Sequence, residues 1–100
     1  MKELHKITLA KMKEEVKGKS YDVLSTDINA LSISFYNTMV DVDLENRDGG
    51  EIVIHKPYTE CEVKIDCEDI VDGIETDGAG YFLITFNNGM SDIEIKEVRQ

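Results

Sequence analysis

The sequence predicts an α+β fold in which an N-terminal helix packs against an antiparallel sheet. Three observations carry that expectation. Between Thr8 and Lys17 the apolar residues recur at helical spacing. From Tyr21 onward the period falls to two, in runs short enough for about six to eight strands. Near the C-terminus, GYFLITFNNGMSDIEIK places two alternating runs on either side of Asn88-Gly89, a dipeptide that accepts the positive φ angles of a two-residue hairpin turn. Strands this short, joined by turns this frequent, can curl into a small barrel-like roll.

The helix is expected over about 8–17, with Thr8 as N-cap and Gly18 at C′. Leu9, Met12 and Val16 share its apolar face. Leu4 and Ile7 either extend that face from a helix start near Lys2 or form a separate lead-in segment. Lys11, Lys13 and Lys17 lie in or near the C-terminal half, where they suit the helix dipole.

Strands are expected from about 21 to 98. Tyr21–Leu24 is the first, and 27–29 reads as a turn. In Ala30–Leu44, Leu31, Ile33 and Phe35 alternate with polar neighbours, and then the phase inverts to Val40, Val42 and Leu44. A one-residue inversion sends the apolar set to the other face. Asn37-Thr38 is therefore read as a tight turn between two strands, in preference to a bulge within one. Residues 46–50 form a loop. Glu51–His55 is a strand ended by Pro57 and read as an edge. In Glu60–Cys67, Cys61, Val63, Ile65 and Cys67 alternate with Glu60, Glu62, Lys64 and Asp66. Residues 68–75 read as a turn and a short strand, and 77–80 as the turn into the final hairpin. That hairpin is expected to bury Phe82, Ile84 and Phe86 with Ile93 and Ile95, and to expose Asp92, Glu94 and Lys96.

At 100 residues, 41% hydrophobic, the chain is expected to be a single domain spanning 1–100 with one modest core. The longest wholly apolar run, Phe82-Leu83-Ile84, cannot span a membrane as a helix, and the opening residues lack an apolar signal core. Cys61 and Cys67, on one strand, would stand roughly 20 Å apart at about 3.3 Å per residue, beyond the about 4.4–6.8 Å of a disulfide. Reduced, buried cysteines in a cytoplasmic protein are the expectation.

The net charge is −10, unevenly placed: residues 1–19 carry +3 and residues 20–100 carry −13. Such a body repels nucleic-acid phosphates and anionic lipid and attracts basic protein surfaces. No metal, cofactor or enzymatic activity is expected. Asp41, Asp43, Glu45 and Asp48-Gly49 imitate a calcium loop, but Asn46 and Ile52 stand where an EF-hand needs Gly and Glu. His5, His55, Cys61 and Cys67 lack zinc spacing. Gly78-Ala79-Gly80 lies between strands and precedes no helix.

Glu60–Asp77 holds eight carboxylates against Lys64 alone. Carboxylates two apart on a strand stand about 6.6 Å apart, the order of phosphate spacing on a nucleic acid. Glu60, Glu62, Asp66, Glu68, Asp69 and Asp72, with Asp92 and Glu94 extending the surface, are the candidate partner-binding residues. The expected function is stoichiometric binding to a protein with a basic surface, in its sharpest form inhibition of a nucleic-acid-binding protein by mimicry, as mobile elements use against host defence. The alternative is a structural or assembly module, such as a homodimer paired through a sheet edge. A third reading, a small-ligand pocket, would draw on Tyr36, Tyr58 and Tyr81.

Overall fold

In the computed structural model, residues 3–26, 32–45, 49–86 and 91–98 are described. Their order is β1 (His5–Ile7), α1 (Leu9–Val16), β2 (Tyr21–Thr26), β3 (Ser32–Asp43), β4 (Glu51–His55), β5 (Glu62–Asp66), a 3-10 turn at Cys67–Asp69, β6 (Ile70–Thr76), β7 (Tyr81–Phe86) and β8 (Asp92–Glu97). The strands form one antiparallel sheet in the order β1-β6-β7-β8-β2-β3-β4-β5. The fold is thus mostly sheet with one short helix. Its ladder stays open, with β1 and β5 as edges, so the roll does not close into a barrel.

The sheet nevertheless curls strongly. The whole chain's Cα extents are 33 × 32 × 30 Å, nearly equal in all three directions, whereas a chain built on a flat sheet would be thinner in one direction. Curling lets strands from both halves share one core: Tyr21, Val23, Val40, Val42, Ile52, Ile54, Ile65, Ile74, Phe82, Ile84, Ile93 and Ile95, closed by Met12 and Val16 of the helix. These residues alternate along their strands, so their neighbours define the sheet's outer face.

The helix begins where expected. Thr8 caps it by accepting from the Lys11 amide at 3.2 Å, and Gly18, at φ 74°, follows Lys17 at the C-cap. Leu4 and Ile7 do not belong to it. Ile7 lies in β1, which pairs with β6, so a strand precedes the helix and strands begin at His5 rather than near Tyr21. Three residues cannot advertise a strand by alternation; the partner that supplies their hydrogen bonds is some seventy residues away in the chain.

The phase inversion at Asn37-Thr38 is a bulge in one 12-residue strand, not a turn. Tyr21 pairs with Thr38 and Val23 with Phe35, so one extra residue is inserted into β3. Asn37 takes φ 55°, which Asn tolerates, and its amide donates to Asp22 Oδ1 at 3.0 Å. Thr38, fully buried, donates to the Tyr21 carbonyl at 2.9 Å. The two halves of β3 pair with different strands, residues 32–38 with β2 and 39–43 with β4. A hairpin would have paired them with each other. A bulge adds local twist, and β3 is the strand that joins the β2 side of the sheet to the β4 side.

Strand β4 runs between β3 and β5, so Glu51–His55 is an interior strand and not an edge. Pro57 falls in the turn beyond it, where no ladder amide is needed. Cys61 is exposed outside β5, and Cys67 is half-buried in the 3-10 turn. The alternation that suggested two core cysteines outruns the strand at both ends, so only Val63 and Ile65 face inward from it.

The final hairpin buries Phe82, Ile84, Ile93 and Ile95, with Phe86 packed against them. Phe82 pairs with Ile95 and Ile84 with Ile93, the register that a two-residue loop at Asn88-Gly89 requires. The turn residues 87–90 lie outside the described residues, as do the expected turn at 27–29 and loop positions 46–48.

Candidate functional surface

Strand alternation places Glu75, Asp92, Glu94, Asp22, Asp41, Asp43, Glu51, Glu62 and Asp66 on the outer face, with Lys6, Lys64, Lys96 and His55 interspersed. One cross-strand row brings Asp43, Glu51 and Asp66 side by side on β3, β4 and β5. Glu51 is buried at 5% exposure, a placement its strand position alone did not reveal.

The sequence-derived residues divide into two groups. Glu60, Glu62, Asp66 and Glu68 gather around the β5 edge. Asp92 and Glu94 lie on β8, with β2, β3 and β4 between, a separation of about 19 Å along the sheet at about 4.8 Å per strand. Asp69 ends the 3-10 turn and Asp72 lies in β6; their side chains are outside the described residues. On β5 the outward row is Glu62, Lys64, Asp66, and Lys64 pairs with Glu62 at 3.4 Å. Uninterrupted carboxylate pairs at i, i+2 occur instead on β3 (Asp41, Asp43) and β8 (Asp92, Glu94). Asp41 also meets His55 Nε2 at 3.0 Å.

Two adjoining clefts open on the outer face over β7, β8, β2 and β3. The larger, about 500 Å³, is lined by Leu4, Asp77, Ala79, Gly80, Tyr81, Glu94, Lys96 and Glu97. The smaller, about 190 Å³, is lined by Asp22, Val23, Leu24, Ser34, Tyr36, Glu94 and Lys96. Glu94 and Lys96 border both. The wall at 77–81 is rigidly built: Asp77 Oδ1 accepts from the amides of Ala79 at 2.7 Å and Tyr81 at 3.2 Å, while Thr76 Oγ1 donates to the Tyr81 carbonyl at 2.8 Å. The Tyr81 hydroxyl donates to Glu94 Oε1 at 2.7 Å. Burial, that hydrogen bond and the nearby carboxylate charges hold the hydroxyl well above its ordinary pKa, so it is a donor rather than a phenolate.

Of the three tyrosines considered for a pocket, Tyr81 and Tyr36 line these clefts and Tyr58 does not. Tyr58 stands fully exposed at the β4–β5 turn with φ 64°. Alternation along single strands does not reveal the clefts, although the hairpin register carries a signal. It sets Tyr81 opposite Lys96 and Leu83 opposite Glu94, leaving Tyr81 diagonal to Glu94 and within reach of it.

Among the described residues no group of three or more His, Cys, Asp or Glu side chains could hold a metal ion, and no helix is long and apolar enough to cross a membrane. No protein-family model, curated protein or solved structure matches the chain. The fold and surface together define a sheet-rich α+β protein with a carboxylate-lined outer face.

Proposed function

We propose that the protein acts by stoichiometric binding of its outer sheet face to a basic surface on a protein partner. The observation that carries this reading is the excess of carboxylates over Lys6, Lys64 and Lys96 on that face, spread over six of the eight strands. A β-sheet holds such charges at fixed spacing, so little side-chain ordering is left to the binding step. In its sharpest form the partner surface is one that otherwise holds a nucleic-acid backbone. Asp41 with Asp43, and Asp92 with Glu94, supply pairs about 6.6 Å apart, and the overall charge of −10 disfavours nucleic acid itself as the ligand.

Dimerisation through a sheet edge finds less support. The candidate edges are β1, three residues long, and β5, whose outward side chains Glu62, Lys64 and Asp66 oppose strand addition.

The test is affinity capture from the native host, with elution by salt and, separately, by duplex DNA. A basic partner released by both is the expected result. Its loss with a variant carrying Asp41→Lys, Asp43→Lys and Asp92→Lys, whose folding is checked by circular dichroism, would localise the contact. Recovery of no basic or nucleic-acid-binding protein refutes the reading.

A further inference from the structure

We propose that the cleft between the 77–80 turn and Glu94 is the seat for an arginine side chain of the partner. This seat presupposes the acidic-face binding proposed above and assigns it a place and a side-chain chemistry.

The cleft combines the three features a guanidinium uses. Leu4 and the ring of Tyr81 offer apolar wall to a methylene stem. The Tyr81 ring also gives a planar face on which a guanidinium stacks, which an ammonium exploits less well. Glu94 supplies the carboxylate, half-buried and oriented by the Tyr81 hydroxyl at 2.7 Å. A carboxylate accepts at about four lone-pair positions, and that hydroxyl occupies one.

The remaining carboxylates lining the clefts have structural duties. Asp22 holds the Asn37 amide, Asp77 holds its own turn, and Glu97 pairs with Lys19 at 3.4 Å. Their charges still add to an attractive field. Lys96 is the one cation among the described residues that line either cleft, and it is exposed. The smaller cleft continues the groove past Glu94 towards Leu24 and Tyr36, so a second side chain of an extended basic peptide has a place to lie.

The test uses the full chain with hexa-arginine and hexa-lysine peptides at low salt, by calorimetry. The arginine peptide is expected to bind about fivefold or more tightly than the lysine peptide, because only it stacks and forks. Glu94→Gln and Tyr81→Phe are near-isosteric and should preserve the melting temperature within a few degrees. Glu94→Gln should weaken the arginine peptide about tenfold, and Lys96→Gln should strengthen it. Asp41→Asn, remote on β3, should change it about twofold or less. In the wild-type protein, amide shifts on adding the arginine peptide should centre on residues 79–82 and 93–96, a readout that needs no variant.

Equal loss from Glu94→Gln and Asp41→Asn, or shifts centred on β3–β5, overturns the arginine seat and leaves the acidic-face reading standing. Wild-type protein that binds neither peptide overturns both.

Discussion

Tyr21→Phe tests the packing of the core at its least satisfied point. Tyr21 is fully buried, its ring meets Phe82 edge-on with centroids 6.2 Å apart, and its hydroxyl has no hydrogen-bond partner among the described residues. A buried hydroxyl without a partner forfeits the water it bonded when unfolded, at about 1–3 kcal/mol. Phenylalanine keeps the ring and removes that penalty. The space left by one oxygen, on the order of 10 Å³ at about 24 cal/mol per Å³, returns only about 0.2 kcal/mol of the gain. The variant should therefore be more stable by about 1 kcal/mol or more, a rise in melting temperature of roughly 4–8 °C per kcal/mol for a domain of this size. Urea unfolding should show a higher midpoint at unchanged slope. The pH dependence gives a second arm. Burial first, then the charges of Glu97 and Glu15, push the Tyr21 hydroxyl from 10.0 up to about 12 in the folded chain. Between those values the unfolded chain loses this proton and the folded chain keeps it, so wild-type stability falls as pH rises through the window. Tyr21→Phe removes that loss, and its advantage should widen from pH 10 to 12. A variant less stable than wild type at neutral pH would refute the reasoning, because it would show the hydroxyl to be bonded in solution.

Three further outcomes follow from particular positions. Gly80→Ala should cost about 2–3 kcal/mol in urea unfolding, since Gly80 has φ 96° and an added Cβ would lie 2.8 Å from Glu97 Cβ; a cost below 1 kcal/mol on the same scale would show that the turn yields. Asn37→Val should lose about 1–2 kcal/mol, for a β-branched residue resists the left-handed conformation, whereas Asn37→Gly should lose less; equal losses would argue against the bulge geometry. On brief iodoacetamide treatment near neutral pH, peptide mass spectrometry should find Cys61 alkylated well before Cys67. Cys61 is exposed, while burial first, then Asp66 and Glu51, push the Cys67 thiol up to about 11. Comparable rates would mean that the 3-10 turn opens readily.

Much of the molecule is written in local pattern. Thr8 and Gly18 bound the helix because capping involves only neighbouring residues. The Phe82/Ile84 and Ile93/Ile95 pairing follows from Asn88-Gly89, because a two-residue loop leaves one register. The strand at Glu51–His55 follows from Val, Ile and a stop at Pro57. An acidic outer face follows in outline from alternation, since the wet phase of nearly every strand carries carboxylates.

Non-local pairing decided the rest. The inversion at Asn37-Thr38 is compatible with a turn or a bulge, and only the different partners of the two halves of β3 select the bulge. Residues 5–7 become a strand because β6 offers them an edge, and β4 becomes interior because β5 folds back onto it. The same lateral order separates Glu62 and Asp66 from Asp92 and Glu94, which the chain alone does not relate. It also brings Leu4, Tyr81, Glu94 and, beyond Lys96, Leu24 and Tyr36 into one groove. The sequence by itself determined the periods, the caps and the sign of the charge, because each depends on residues a few positions apart. The tertiary structure alone decided which strands are neighbours, and with them where the carboxylates and tyrosines meet, because sheet order depends on hydrogen bonds between segments far apart in the chain.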